Sequence, residues 1–571
     1  MSWVRIPFYA VCFAVCATGM HSTSASAQEP PTKIEGLIPS SVRPGVIEST
    51  YADDKIPEIG NLPSIVSPYE PAQPEGARAI RFVLTSITID GAQSIDESVF
   101  APLYAEKIGQ EIALGEVFEI ARDITRLYAE RGYPLSLAYV PAQEIDGGDV
   151  RIRVIEGHVE TAEISGAKAL QSRRLQKLAA KLTAERPLTQ SSLERYLLLA
   201  NQPAGQAVTG VLKKGENGGV GMVLDADLKR LALAAGVNNR ASRAVGREQF
   251  YARASINSII TGADSLNFSA VQSFELDELT YFAGSYVTAI GAEGLNVTLR
   301  ASRSEAAPGI PFLRDLGFET MGWTAGVGAS YPLILSRDKN LILSASTNWK
   351  EFQSAFGVSP NTFDTLWTTS FSAAFSFADD LDGRNALRGE IVRGWDIFNA
   401  TQAGSPLASR AGAGSEFISL IGEISRTQKI NSWLKGIVAI NAQTANNPLL
   451  SSEQCGYGGG KVGRAFDSFE ISGDRCVTGL LELQASPEFL KHGKIAIRPF
   501  AAIDAGAVRQ IGDLEAGESR TASLYSASAG LRISLSKHVS ASVEGGFPLK
   551  GSVAQEGDDS ARFFFGLEAR Y

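Results

Sequence analysis

The segment Arg562–Phe563–Phe564–Phe565–Gly566–Leu567–Glu568–Ala569–Arg570–Tyr571 sorts its side chains by a period of two. Phe563, Phe565, Leu567, Ala569 and Tyr571 share one face of an extended chain, and Phe564, Gly566, Glu568 and Arg570 take the other. A bare apolar face backed by a charged one suits a strand with lipid on one side and water on the other. An edge strand of a soluble sheet would rarely leave such a face uncovered. The segment predicts a membrane β-barrel.

The same texture extends upstream to about Leu231. Short alternating runs, among them Ser265–Phe268, Tyr281–Val287, Leu295–Ser302, Leu341–Trp349, Thr368–Phe377, Leu480–Gln484, Ile495–Ala502 and Leu524–Leu535, are separated by Gly, Asn, Asp and Ser. At roughly 21 residues per strand and connection, with strands of about 9–11 residues, the interval 230–571 holds about 16 strands. The fold class is mainly β, a C-terminal transmembrane antiparallel barrel; an array of soluble β-sandwiches is the alternative.

The N-terminal end fits export. In residues 1–27, Arg5 is the single Lys or Arg, Ile6–Met20 is largely apolar, and Ala25–Ser26–Ala27 is a small-residue cleavage signature, so a signal peptide is expected. Its removal takes Cys12 and Cys16 and leaves Cys455 and Cys476, most simply one disulfide in an exported protein. No later run approaches the ~20 apolar residues of a membrane helix, so any spanning part is a closed barrel. A net charge of −9 argues against nucleic acid as a partner. The four histidines, His21, His158, His492 and His538, are scattered, so no metal or other cofactor is expected. Gly460–Lys461 superficially suggests a phosphate loop, but Cys455 and Val462 stand where Gly and Ser or Thr belong. No nucleophile–base motif stands out, and the chain does not read as an enzyme.

Residues 28–76 carry nine prolines and read as an extended linker, within which Arg43–Glu48 can begin a short helix. Residues 77–156 read β-α-α-β-β. A strand over Ile80–Ile89 precedes helices near Glu97–Ile108 and Leu114–Arg131, then strands Leu135–Pro141 and Val150–Ile155. Phe118, Ala121, Ile124, Leu127 and Tyr128 are expected on the buried face of the second helix. Residues 157–229 repeat the plan more faintly, with a strand at Ala162–Ile164, helices Leu170–Leu182 and Leu188–Leu199, and strands Val208–Lys213 and Val220–Asp227.

Two further stretches carry chemistry. The Gly-rich run Gly456–Arg464, followed by Phe466 and Ser472–Gly473–Asp474, offers a loop that can enter confined space. About forty residues on, Phe500–Ala501–Ala502–Ile503–Asp504–Ala505–Gly506 puts Asp504 on the lumen face if Phe500 and Ala502 share it. A charge inside a barrel wants a partner. Read alone, Arg464 could be an exposed lumen cation and Asp504 could pair elsewhere.

These motifs resemble the loop-tip and strand motifs of outer-membrane transporters with POTRA domains, most closely the two-partner-secretion (TpsB) transporters, the haemolysin and filamentous-haemagglutinin exporters. The resemblance implies that residues 77–156 and 157–229 are two periplasmic POTRA domains and that a helix in 28–76 plugs the pore. It implies a lock between Arg464 and Asp504 that folds the loop into the lumen, supported by Gly463, Phe466, Gly473, Asp474, Phe500 and Gly506. The chain has Ala465 where the family form has Gly. Cys455 and Cys476 would staple the loop base. Phe565, Gly566 and Tyr571 look like the signal read by the barrel-assembly machinery. The implied function is export of a partner exoprotein across the outer membrane of a Gram-negative bacterium, captured by the edge of the Leu135–Pro141 strand. The alternative within the superfamily is a factor that inserts other barrels.

Overall fold

The computed structural model describes residues 38–52, 74, 76–166, 173–214, 219–514 and 519–571. The targeting segment 1–27 and most of the linker 28–76 lie outside the described residues.

Period-two segments satisfy their backbone groups in a membrane only by pairing until the sheet closes. From Leu231–Asn238 to Arg562–Arg570 they do so, as a closed antiparallel barrel of 16 strands with the two-residue Lys491–His492 as an extra pairing beside Ile495–Arg509. Most strands fall near the expected length, but Phe318–Leu335, Lys339–Phe356 and Ser359–Ala378 have 18, 18 and 20 residues and form a taller wall. The last strand closes the ring. Gly566 faces Asn238, Arg570 faces Ala234, and Tyr571 exchanges backbone hydrogen bonds with Leu233 at 2.8 and 3.1 Å. Phe563, Phe565, Leu567 and Tyr571 are exposed on the outer face, and Phe564 is buried. Connections beside the N-terminal units are short, such as 336–338 and 535–538, whereas the far end carries 396–416 and 446–474. That asymmetry is the one expected of outer-membrane barrels.

Residues 38–52 are not plain linker. Pro44 at the first helical position opens helix α1 (Pro44–Tyr51), which lies inside the barrel. Val42 and Ile47 join a buried cluster with Val245, Leu279, Tyr281 and Phe318. Glu48 accepts from Ser302 Oγ at 2.7 Å, and the Tyr51 hydroxyl donates to Gln249 at 2.8 Å. A Cβ on Gly45 would lie 2.4 Å from Ser452 Cα, so α1 also presses on the long loop 446–474.

The first N-terminal unit is a three-stranded sheet, Ser86–Asp90, Asp149–Ile155 and Leu137–Tyr139 in that order, covered by α2 (Leu114–Glu130). The expected strand over Ile80–Ile89 is split into Arg81–Val83 and Ser86–Asp90. The expected helix near Glu97–Ile108 is instead three short 3-10 turns, with Pro102 at the second position of the middle turn, where it breaks the helical ladder. The buried stripe of α2 is Val117, Ile120, Ala121, Ile124 and Tyr128; Phe118 and Leu127 flank it half-buried, rotated from the expected face.

Glu156 pins this unit together. Its carboxylate accepts from the Gln93 and Ser94 N–H groups at 2.8 and 2.6 Å, the Ser94 hydroxyl at 2.9 Å and the Tyr128 hydroxyl at 3.0 Å. Burial pushes the Glu156 carboxyl up, but these donors outweigh it and hold it below the usual range. A depressed carboxyl contributes stability above its unfolded pKa and loses it as pH falls through the folded value. Glu156→Gln should therefore weaken the unit by about 1–3 kcal/mol at neutral pH. Hydrogen exchange of residues 86–94 in the full chain should show the difference from wild type shrinking below about pH 4. A pH-independent difference would assign Glu156 a purely steric role.

The second unit orders its strands Val159–Gly166, Val220–Leu228 and Gln206–Lys214, under α3 (Arg173–Ala184) and α4 (Gln190–Asn201). Leu170, expected in the first of these helices, lies outside the described residues. The unit bonds to the first through Gln190 N–H to Gly132 O at 2.8 Å. It docks on the barrel through Arg195, whose guanidinium donates to Pro332 O at 3.1 Å and Glu293 O at 3.2 Å, and through Lys181–Glu293 at 2.8 Å.

Candidate functional site

The loop 446–474 turns back into the barrel as a hairpin, Cys455–Tyr457 against Ile471–Gly473. A disulfide joins Cys455 to Cys476, fastening the hairpin to the second residue of strand Arg475–Ala485. Beyond Tyr457 the chain reverses tightly. Gly463 has φ +77°, and a Cβ there would lie 2.6 Å from Gly458. Only glycine fits both demands.

The hairpin lies against Ile495–Arg509, where Phe500, Ala502, Asp504, Gly506 and Val508 face inward and Ile503 faces out. Asp504 is buried and accepts from the Tyr457 hydroxyl at 2.5 Å, the Gly463 N–H at 3.1 Å and the Ser526 hydroxyl. Gly506 makes the room. A Cβ on it would sit 2.3 Å from the Tyr457 ring. Gly506→Ala should displace Tyr457, at about 1–3 kcal/mol. The temperature at which the folded barrel loses its gel mobility should fall, while Gly389→Ala, whose Cβ meets nothing within 4 Å, stays neutral. Equal behaviour of the two variants would rule out this packing argument.

Arg464 does not meet Asp504. Its guanidinium pairs with Glu482 on the neighbouring strand at 2.5 Å, and the two side chains are 8% and 2% exposed. The physical reason is local. Tyr457, Ser526 and the Gly463 N–H all bind Asp504 Oδ1 and seat the hairpin at a depth where the next side chain comes level with Glu482, which stands opposite Ala502. Asp504 Oδ2 is buried without a hydrogen-bond partner among the described residues. Arg532 completes the cluster, donating to Glu482 at 2.7 and 3.1 Å. The Phe500 ring lies under both cations, 5.6 Å from Arg464 and 4.1 Å from Arg532.

The tip is held from the closing strands as well. Arg240 pairs with Glu544, Arg562 with Asp467 at 2.6 Å, and Arg562 donates to Ala465 O at 3.2 Å. The methyl of Ala465 is accommodated because Gly546 faces it; a Cβ there would come within 2.9 Å of Ala465 Cα. Phe466 is buried against Tyr457 at 5.9 Å between ring centres. Gly473 abuts the Arg509 backbone.

Asp474 has a separate role at the outer mouth. It pairs with Arg410 at 2.5 Å, and accepts from the Leu449 and Ile511 N–H groups at 2.8 and 2.5 Å. Arg410 in turn donates to Leu449 O and Ile511 O. One buried ion pair thus gathers loops 396–416 and 446–474 and the segment at Ile511.

Sequence reading missed Glu482, Glu544, Arg532, Arg240, Arg410 and Tyr457. Glu482 had a signal, being the lone acid in Leu480–Leu481–Glu482–Leu483. Arg410 had none, because its partner lies 64 residues away. The assembled site ties buried acids to cations and backbone N–H groups. It is an arrangement for holding a loop and a helix inside a pore.

A family model described as haemolysin secretion/activation protein ShlB/FhaC/HecB matches residues 223–533, and one described as POTRA domain, ShlB-type, matches residues 82–157. The heme/hemopexin transporter protein HuxB of Haemophilus influenzae (strain 86-028NP) is 24% identical over 199 residues, 34% of this chain and 35% of that protein. The chain thus spans about a third of the length of this relative. The outer membrane transporter CdiB of Escherichia coli is 22% identical over 505 residues, 86% of this chain and 82% of its own. Among solved structures, CdiB from Escherichia coli aligns with TM-score 0.69 at 20% identity, over 88% of this chain and 93% of that one. BamA from Haemophilus ducreyi lacking POTRA domains 1–3 aligns with TM-score 0.52 at 13% identity, over 86% and 100%. Both structural likenesses establish a shared fold.

Proposed function

The chain belongs to the ShlB/FhaC/HecB family of haemolysin secretion/activation proteins, and from that premise we propose that it exports a partner exoprotein to the cell surface by two-partner secretion. The barrel spans the outer membrane, and the N-terminal units lie in the periplasm. The observation that carries the proposal is a lumen occupied by the α1 helix and the pinned loop 446–474, in a barrel that follows a POTRA-type unit. In this reading 77–156 and 157–229 are two POTRA domains and 230–571 is the conduit. Phe565, Gly566 and Tyr571 serve as the signal for the barrel-assembly machinery.

Capture of the unfolded client is best placed on the second unit. The Ala138 N–H in the expected docking strand already donates to Thr125 Oγ1 at 2.9 Å, so an added strand there would have to displace it. The edge strand Val159–Gly166 of the second unit instead borders an open cavity of about 570 Å³ with α3, lined by Ala162, Ile164, Gln176 and Ala179. Strand addition with side chains entering that groove suits an extended client. Passage then needs no nucleotide at this membrane, because the client folds outside.

The decisive experiment follows the genetically neighbouring exoprotein with and without this chain. Periplasmic trapping with other barrels at normal levels supports a dedicated exporter. Continued export with loss of other barrel proteins identifies an assembly factor instead.

A further inference from the structure

We propose that Arg475, Arg509 and Lys550 form a binding site on the barrel's outer wall for the phosphate of an anionic lipid in the outer leaflet. Arg475 and Arg509 are Cα partners on adjacent strands, at the end far from the periplasmic units. Both are exposed and point outward. Arg475 shares its face with Val477, Leu481 and Leu483, and Arg509 shares its face with Ile503, all of them exposed to the membrane.

Lys550 reaches the same wall through a register shift. Strands Thr521–Ser534 and Val539–Lys550 slip between Tyr525 and Ser526, so Leu549 is extra and Lys550 comes opposite Tyr525. Its ammonium lies over the Tyr525 ring at 5.3 Å and donates to Ser523 Oγ at 2.8 Å. Ser523 stands opposite Ala507, two residues from Arg509 on the same face.

Like charges directly opposite on paired strands repel. Among the described residues none of the three cations makes an ion pair, and Arg509 makes no hydrogen bond through its side chain. Arg475 spends its guanidinium on Ala445 O at 3.3 and 3.4 Å, which leaves the charge uncompensated. The arrangement calls for an anion between them. The surroundings say which kind. The cations sit at the outer end of an apolar wall (Val477, Ile503, Phe547 and Leu549 are all exposed), with the Tyr525 ring beside Lys550, the kind of aromatic that favours a membrane interface. An anion held there with hydrocarbon directly below is a lipid phosphate. Arg supplies the planar donor fork that suits it.

The inference rests on the barrel's place in the outer membrane and not on export, so each can fail alone. Full-length protein in neutral detergent would be titrated with diphosphoryl lipid A and followed by native mass spectrometry. Wild type should hold a lipid adduct that Arg475→Gln/Arg509→Gln loses by about fivefold per removed cation, with folded-barrel gel mobility retained. If the double variant fails to assemble, Arg509→Gln alone provides the comparison. Equal binding by wild type and variant, or equal binding of the phosphate-free lipid, would overturn the proposal. Displacement of the lipid by millimolar inorganic phosphate would equally overturn it, by marking a free-anion site.

Discussion

Arg464→Ala is expected to abolish export while the barrel still inserts and closes. The substitution leaves Glu482, whose side chain is 2% exposed, with Arg532 as its remaining cation. Breaking a buried ion pair from one side costs about 3–5 kcal/mol, because the surviving charge keeps its desolvation penalty. The barrel ladder does not pass through this contact, so the loss falls on the seating of the loop tip. Glu482→Gln should match it. Arg464→Lys should recover little, because an ammonium cannot offer the guanidinium's planar face to Phe500 while reaching Glu482.

The partner assignment has its own test. If Glu482 is the counter-charge, Arg464→Glu/Glu482→Arg should regain part of the export lost by either change, whereas Arg464→Asp/Asp504→Arg should not. Secreted exoprotein in the medium, with gel mobility as the control for assembly, reads both. Rescue by the Asp504 swap would restore the pairing expected from the sequence. Wild-type export by Arg464→Ala would remove the lock from the mechanism altogether.

That difference shows what the sequence could carry. The inward direction of Asp504 was legible because a strand's period of two fixes facing without any knowledge of partners, as it did for Phe563, Phe565 and Leu567 on the closing strand. The pairing of Cys455 with Cys476 was legible by count. Which acid receives Arg464 was not, because that depends on how deeply the hairpin Cys455–Gly473 slides along the wall. Depth is set by Tyr457 filling the space over Gly506, a contact between residues 49 apart that no local pattern records. The same holds for α1. Its Pro-rich surroundings in sequence look like linker, and what makes it a packed helix is the pocket formed by Val245, Leu279 and Phe318 far along the chain. The first-unit error had a local origin instead: Pro102 was read inside a helical period that it in fact interrupts.

Asp474→Ala should loosen the outer mouth as strongly as Arg464→Ala loosens the tip, but in a different place. The Asp474 side chain is 0% exposed and its partner Arg410 is 6% exposed, so removing one charge strands the other in the same low-dielectric pocket, again at about 3–5 kcal/mol. The carboxylate also holds two backbone N–H groups, Leu449 and Ile511, which lose their acceptor together. Hydrogen exchange should therefore accelerate in 405–415, 446–454 and 510–513, while the tip residues around Gly463 keep their protection through Asp504. Arg410→Ala should give the same pattern. The double variant should be less destabilised than the sum of the two, since no orphan charge remains. Additive losses would mean that each side chain acts through its own backbone contacts and that the ion pair itself holds nothing. A neutral Asp474→Ala would mean the three segments are gathered by the apolar cluster of Leu366, Phe417 and Leu449 beneath them instead. The expected outcome makes the mouth and the tip two separately fastened ends of one loop, so a client arriving from the periplasm would meet the Arg464 lock first and the Arg410 latch last.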